Sequence, residues 1–228
     1  MTVFVFVSGP IRTSVSDALH VIRTFRSRVG ECKVWVSTWE TSEPLDELAS
    51  EVDKLIVSPQ PATDHLTARS IQGATYIDNV DRPDLYKWLM NAHIGSFLSV
   101  QGITKLFELG ECADDDIVIR LRIDALFLVD PSHVQEMIAS PEYYHVIQRY
   151  VLGNSYFDEW FALSTYENMK KVWSFTTLEE HESRLSISFN GEDFIKKSVE
   201  KHNIPIKYID ETKIDICLIR ANGVHVRY

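Results

Sequence analysis

The first forty residues follow the order strand, helix, strand, and this order constrains the fold more than any other feature. Residues 3–7 and 33–39 are β-branched and aromatic runs that predict two buried strands. Between them, Ser14 begins a capping-box-like helix start, and Leu19 and Ile22 follow on one helical face. Such a βαβ unit implies a parallel strand pair with a right-handed crossover. The chain is therefore expected to contain a parallel sheet.

Strand-like and helical segments continue to alternate along the remaining chain. Strands are predicted at 55–57, 117–123, 144–147, 206–209 and 216–219, and helices at 85–109, 133–138, from 166 and at 192–202. Residues 41–83 are polar and contain several prolines, which predicts a long connection. Gly102 weakens the helical pattern around it. This alternation predicts one α/β domain with a mostly parallel central sheet flanked by helices.

Charge and cysteine content restrict the partners and the compartment. The net charge of −10, from 23 basic and 33 acidic residues, argues against a surface that binds nucleic acid or an anionic membrane. A small anionic ligand is still compatible with this net charge, because binding it requires only a few well-placed arginines. Three cysteines without a CxxC pair favour a reducing compartment. No signal peptide or membrane span is predicted, so we expect a cytoplasmic protein.

Two arginines and an aspartate share one face of the predicted strand 117–123. Isoleucine and leucine fill one face, whereas Arg120, Arg122 and Asp124 follow each other on the opposite face. Same-face neighbours lie about 7 Å apart, so the row spans roughly 13 Å, which suits a diphosphate with a sugar attached. Buried guanidinium groups require a partner. This partner is either an anionic ligand, which we favour, or the neighbouring charges themselves.

The loop after the first strand is a second candidate. Gly9 starts this loop, and Arg12 lies where ligands bind in open α/β sheets, at the carboxyl ends of strands and often against a helix N-terminus. Arg12 is either a phosphate contact or a solvated arginine after a turn. Neither GxGxxG nor GxxxxGK[ST] is present, which disfavours nicotinamide and P-loop chemistry.

Carboxylates at two further places are candidate general bases. Glu192 and Asp193 open a helix, where acids also stabilise the helix dipole without any catalytic role. Asp158 and Glu159 precede an apolar run, which draws at least one of the two carboxylates toward the interior. His225 is a single histidine near the end of the sequence, a position at which most histidines are merely exposed.

The chain resembles glycosyltransferases of the GT-A type, and in particular the WavE-like proteins of lipopolysaccharide and capsular polysaccharide biosynthesis. The matching segments are short and lie in order along nearly the whole chain. They cover residues 5–12, 36–39, 118–124, 158–163 and 217–223. The resemblance implies a GT-A-like (Rossmann-like) domain over 1–228. Its half at 1–125 would bind a UDP- or GDP-sugar, and its half at 126–228 would hold the glycan acceptor and the catalytic groups.

The resemblance also implies roles for individual residues. GT-A enzymes usually carry an Asp-x-Asp whose last carboxylate binds Mn²⁺ or Mg²⁺, and this chain has Arg122-Ile123-Asp124 there. Asp124 and His225 are the implied metal ligands, and Arg120 and Arg122 are alternative partners for the diphosphate. The implied donor contacts also include Gly9, Arg12 and Trp39.

Inverting transfer is the mechanism that we expect from these residues. A carboxylate would deprotonate the acceptor hydroxyl, with Asp193 as the first candidate and Asp158 as the second. The resemblance implies that Glu192 and Asp193 form the catalytic acidic pair. Two alternatives stay open from the sequence. One is a nucleotide-sugar-binding module without catalysis, which the altered Asp-x-Asp would suit. The other is an S-adenosylmethionine-dependent methyltransferase, which is also α/β but would require a richer glycine motif.

Overall fold

A computed structural model describes residues 1–60, 97–151, 154–174, 193–210, 213–219 and 226–227. Within these ranges the strands are β1 (Val3–Ser8), β2 (Lys33–Trp39), β3 (Lys54–Ser58), β4 (Ile117–Arg122), β5 (Ala125–Val129), β6 (Tyr144–Val151), β7 (Asn154–Thr165), β8 (Ile206–Tyr208), β9 (Ile214–Leu218) and β10 (Val226–Arg227). The helices are α1 (Val15–Val29), α2 (Asp46–Glu51), α3 (residues 97–108), α4 (Pro131–Ile138), α5 (Tyr166–Trp173) and α6 (Asp193–Lys201).

The central sheet has the strand order β3-β2-β1-β4-β7-β6-β8. Strands β3, β2, β1 and β4 are mutually parallel, and β8 is parallel to β6. Strand β7 runs antiparallel to both β4 and β6. Because four of the six neighbouring pairs are parallel, the predicted mostly parallel α/β sheet is confirmed.

Helices cover both faces of this sheet and create two separate cores. On one face, the apolar side of α1 and helix α4 pack on alternate side chains of β1 and β4, among them Val5, Val7 and Ile119. On the other face, α3, α5 and α6 cover Phe6, Trp35 and neighbouring residues. Both faces of β1 and β4 are therefore buried, as expected for central parallel strands.

The N-terminal βαβ unit agrees with its sequence pattern in detail. Ser14 is the N-cap of α1, and its hydroxyl accepts a hydrogen bond from the Asp17 N–H at 3.1 Å. The predicted strand at residues 33–39 matches β2. The crossover joins two parallel neighbours, since Val5 of β1 lies beside Val34 of β2.

Four elements were not predicted from the sequence, and the shortest of them is β10. Helix α2 lies inside the segment read as a long connection, and β5 follows β4 after a two-residue turn. Strand β7 is twelve residues long, where only a connection to a helix was expected. The predicted helix at 85–109 is described from residue 97 onward, and residues 61–96 lie outside the described part.

A glycine in α3 has a packing reason that the sequence alone did not show. A Cβ at Gly102 would lie 3.4 Å from both Ser8 Cβ and Ser37 Oγ. The helix therefore passes close to the ends of β1 and β2, and the Ser8 hydroxyl donates to the Ser99 carbonyl at 3.2 Å. None of the helices in the described ranges is long and apolar enough to cross a lipid bilayer.

Candidate functional site

The carboxyl ends of β1, β2 and β4 meet at one edge of the sheet. The Gly9 N–H donates to the Ser37 carbonyl at 3.2 Å, and the Ile123 N–H donates to the Ser8 carbonyl at 3.1 Å. The Thr38 hydroxyl donates to the Gly9 carbonyl at 2.9 Å. These bonds tie the three strand ends and the loop after β1 into one fixed edge, where α/β folds bind ligands.

Gly9 and Trp39, two of the donor contacts that the resemblance implied, both lie at this edge. Gly9 has a φ of +127°, a backbone conformation that other residues rarely adopt. A Cβ at this position would lie 3.5 Å from the Ile123 side chain. Trp39 ends β2 and is half-buried. The glycine therefore serves the turn that brings Arg12 above the edge.

Asp124 lies in the turn between β4 and β5 and is the centre of a charged cluster. Its main-chain carbonyl accepts a hydrogen bond from the Ile219 N–H at 2.9 Å, which ties the turn to the end of β9. Arg122 holds the carboxylate with two bonds, Nε to Oδ1 at 2.8 Å and Nη2 to Oδ2 at 2.7 Å. The Arg12 Nε lies 3.6 Å from Oδ2. We call Arg12, Arg122 and Asp124 the edge cluster.

Exposure differs strongly within the edge cluster. The side chains of Asp124, Arg122 and Arg12 are 5%, 14% and 46% exposed. The guanidinium of Arg122 also lies over the ring of Trp160 in β7, 5.6 Å from its centroid. Arg122 is thus fixed on two sides, whereas Arg12 reaches the cluster from a solvated loop.

Arg120 does not belong to the edge cluster, which corrects the predicted row of three. Its side chain has no exposed surface, and its guanidinium lies over the Trp173 ring, 4.7 Å from the centroid. Its Nη2 lies 3.5 Å from the Ser99 hydroxyl. Two residues of strand move a side chain about 7 Å along the sheet, which places Arg120 beneath α3 and α5. A direct contact of Arg120 with a donor diphosphate does not fit this burial.

The buried arginine belongs to a polar network inside the second core. The Trp173 Nε1–H donates to the Tyr144 hydroxyl at 3.0 Å, and the Thr104 hydroxyl donates to the Trp173 carbonyl at 3.1 Å. Burial raises the pKa of Tyr144 well above its ordinary value, and the Trp173 hydrogen bond opposes this in part. We call Arg120, Trp173, Tyr144 and Thr104 the interior network.

The N-terminus of α1 is occupied by this chain's own carboxylates. Glu43 accepts the Val15 N–H at 2.8 Å, and Asp17 accepts the Ser14 hydroxyl at 2.8 Å. A further anion would meet these acids first, so the expectation of anion binding at a helix N-terminus does not apply to α1. A cleft beside it is lined by Pro10, Ile11, Arg12, Thr13, Ile123 and Asp124, among others.

The predicted bases are placed only in part. Leu121 of β4 lies beside Phe161 of β7, and Asp158 precedes Phe161 by three residues in the same strand. Asp193 is the first residue of α6, which packs on β7. The side chains of Asp158 and Asp193 lie outside the described part, as do Glu192 and His225 entirely. These assignments stay predictions.

The contacts of Asp124 do not fit those of a metal ligand. Two arginines already occupy its oxygens, and a divalent cation there would face both guanidinium charges. Over the described ranges, no three His, Cys, Asp or Glu side chains converge on a point. The predicted Mn²⁺ or Mg²⁺ is untested, because its second ligand would be His225.

Sequence reasoning missed the contact between Trp160 and Arg122. The sequence indicates only an apolar run after Asp158, which contains Trp160, and nothing in that run predicts a strand beside β4. Predicting this contact would have required knowing that β7 pairs antiparallel with β4, on the side of β4 opposite to β1. A strand pairing between segments forty residues apart is not visible from periodicity.

No protein-family model and no curated protein matches this sequence. Among solved structures, the chain resembles a putative glucose-1-phosphate thymidylyltransferase from Bacillus anthracis, with a TM-score of 0.52, 9% identity, and 98% and 92% of the two chains covered. For the galactosyltransferase LGTC, solved with donor and acceptor sugar analogues, the TM-score is 0.48 and the identity 12%, with 92% of this chain and 74% of that chain covered. For a 4-diphosphocytidyl-2C-methyl-D-erythritol synthase, the TM-score is 0.48 and the identity 11%, with 92% of this chain and 88% of that chain covered. At these identities the likeness concerns the fold, and the chain has the GT-A-like fold predicted from its sequence.

Proposed function

We propose that the chain is a glycosyltransferase that moves a sugar from a nucleoside-diphosphate sugar to a glycan hydroxyl. The observation that carries this proposal is the edge cluster. Two arginines and one aspartate converge at the carboxyl edge of β1 and β4, on the turn that occupies the Asp-x-Asp position in the resemblance. That edge is where α/β sheets bind nucleotides.

The charge of the edge cluster suits a diphosphate leaving group. Arg12 and Arg122 carry two positive charges against the single negative charge of Asp124. Guanidinium groups bind phosphate oxygens with paired, charge-assisted hydrogen bonds. In the transition state, where charge develops on the departing diphosphate, the same groups would stabilise it further.

The acceptor hydroxyl requires a base near the donor. Asp193 is our first candidate and Asp158 the second, with Glu192 beside Asp193. The support for Asp158 is its backbone position in β7, the strand that pairs with β4. A carboxylate there would take the hydroxyl proton while the oxygen attacks the anomeric carbon in line, which inverts the anomeric configuration. The WavE-like assignment and a role in polysaccharide biosynthesis belong to this proposal.

A ligand panel tests the proposal. Thermal unfolding would be followed with UDP, GDP and CMP, with their sugar conjugates, and with S-adenosylmethionine, each with Mn²⁺ and with EDTA. We expect one nucleotide-sugar family to raise the melting temperature and to be hydrolysed or transferred. Stabilisation by S-adenosylmethionine alone would overturn the proposal. Stabilisation by a nucleotide sugar with no turnover on any glycan acceptor would favour a binding module.

Nucleotidyl transfer is the second candidate. Its support is the solved structure named as a thymidylyltransferase, which covers nearly all of both chains. Such an enzyme would consume a nucleoside triphosphate and a sugar 1-phosphate, and it would release pyrophosphate. The two functions are distinguished by incubating the chain with these substrates. Pyrophosphate release would favour nucleotidyl transfer, and release of a nucleoside diphosphate from a sugar conjugate would favour glycosyl transfer.

A further inference from the structure

We infer that Arg12 and Arg122 hold the donor diphosphate without a bridging divalent metal, and that Asp124 is a positioning residue for them. The inference rests on the proposed function, since it concerns the same edge cluster. It departs from the metal role that the resemblance implied for Asp124. The geometry of the carboxylate is its starting point.

Both oxygens of Asp124 are already engaged. Arg122 reaches Oδ1 and Oδ2 with short, charge-assisted bonds of 2.8 and 2.7 Å, and Arg12 adds a contact of 3.6 Å to Oδ2. A divalent ion requires these same lone pairs. Its two charges would also lie beside two guanidinium groups in a turn that is 5% exposed at Asp124, where screening by water is weak. A second cation is therefore disfavoured at this position.

The arginines can supply the charge that the metal usually provides. Arg122 is held by Asp124 and by the face of Trp160, so its orientation is set before a ligand arrives. Arg12 is 46% exposed, and its Nε lies 3.6 Å from Oδ2, beyond hydrogen-bond distance, so a phosphate oxygen can compete with Asp124 for this guanidinium. Such a preset pair of cations stabilises charge on a leaving group without reorganisation.

Asp124 then has two opposing effects on a bound diphosphate. Its negative charge weakens the attraction of the cluster for an anion, whereas its hydrogen bonds aim Arg122. Neutralising it in Asp124→Asn should leave the affinity for a nucleoside diphosphate nearly unchanged. The same substitution should lower kcat. Without the hydrogen bonds from Asp124 the Arg122 guanidinium is less well aligned, so it stabilises the transition state less than it does in the wild type.

Calorimetric titration of the full chain with UDP and GDP, in EDTA and in Mn²⁺, tests the inference. We expect the Kd of the bound nucleotide to differ by less than about twofold between the two conditions. Arg12→Gln and Arg122→Gln should each weaken binding about tenfold or more. Asp124→Asn should change Kd less than about threefold and lower kcat about tenfold. Arg23→Gln, which removes an exposed arginine of α1 that is paired with Glu51 of α2, is the matched control and should change neither value.

The outcomes separate this inference from the proposed function. Tighter binding in Mn²⁺ by tenfold or more, lost in Asp124→Asn, would assign Asp124 to a metal and overturn the inference while the function stands. Absence of nucleotide binding in both conditions would overturn both. Arg12 is half exposed, so Arg12→Gln is expected to fold even where Arg122→Gln does not. Normal binding by a folded Arg12→Gln would also contradict the inference.

Discussion

Arg120 and Arg122 are the same residue type on the same face of β4, two positions apart, and the fold uses them differently. Arg120 has no exposed surface and lies over Trp173 in the interior network. Arg122 lies at the end of the strand, paired with Asp124 and over Trp160. Each guanidinium rests on a tryptophan. Only Arg122 also reaches the edge where a ligand can approach, so position along the strand separates a core residue from a site residue.

The largest expected effect concerns the buried member of this pair. Arg120→Ala should lower the free energy of unfolding by about 3 kcal/mol or more, because a large side chain leaves a cavity beneath α3 and α5. Arg120→Met fills most of that volume and should cost less. Urea unfolding measures both variants. A loss below about 1 kcal/mol for Arg120→Ala would contradict the description of this residue as part of the core.

Arg122 should show the opposite balance between stability and activity. Arg122→Gln is expected to lower donor turnover about 10²-fold, which corresponds to roughly 2.7 kcal/mol of transition-state stabilisation. Its free energy of unfolding should fall by only about 1–2 kcal/mol, because Arg12 still faces Asp124. Steady-state kinetics on the donor identified by the ligand panel measures the first value. Equal turnover in Arg122→Gln and the wild type would remove the functional half of the comparison.

A pH series sharpens the description of the interior network. Burial raises the folded-state pKa of Tyr144, while in the unfolded chain it titrates near its ordinary value of about 10. The unfolded state therefore loses this proton first, and stability is full below pH 10 and falls as the pH rises above it. Tyr144→Phe should be less stable by about 1 kcal/mol at neutral pH, through loss of the Trp173 hydrogen bond. The gap should narrow above pH 10, as measured by unfolding at each pH. A constant gap would contradict the burial of this phenol.

The smallest expected effect concerns the ring beneath Arg122. Trp160→Phe keeps an aromatic face but weakens the cation–π contact, whose centroid distance is 5.6 Å. We expect about a threefold loss of donor turnover, which matches less than 1 kcal/mol. Kinetics at saturating and limiting donor concentrations would measure it. A loss as large as that of Arg122→Gln would show that Trp160 contacts the substrate itself.

Much of the fold was predictable because its signals are local. The β-branched runs, the Ser14 cap and the apolar period of α1 predicted the βαβ unit with nearly correct bounds. Strand β7 was missed, because its pairing with β4 joins residues far apart in sequence. Helix α2 was missed, because six residues with only Leu48 and Ala49 apolar, in a proline-containing segment, give a weak helical signal.

The candidate site was predictable in its residue types and only partly in its arrangement. Gly9, Arg12, Trp39, Arg122 and Asp124 all lie at the carboxyl edge, as the strand ends implied. Arg120 was placed with them because a period of two sets the face of a strand and not the depth of a residue along it. The roles of Asp158, Glu192, Asp193 and His225 stay predictions.

The sequence by itself determined an α/β fold with a mostly parallel sheet, and two arginines on one face of a strand with an aspartate directly after it. These properties depend on backbone preferences and on side-chain periodicity, which neighbouring residues set. Only the tertiary structure decided which charges meet. Helices α3 and α5 close over Arg120, and the loop after β1 brings Arg12 to within 3.6 Å of Asp124. Arg12 and Asp124 are more than one hundred positions apart in the sequence, and only the packing of the whole domain brings them together.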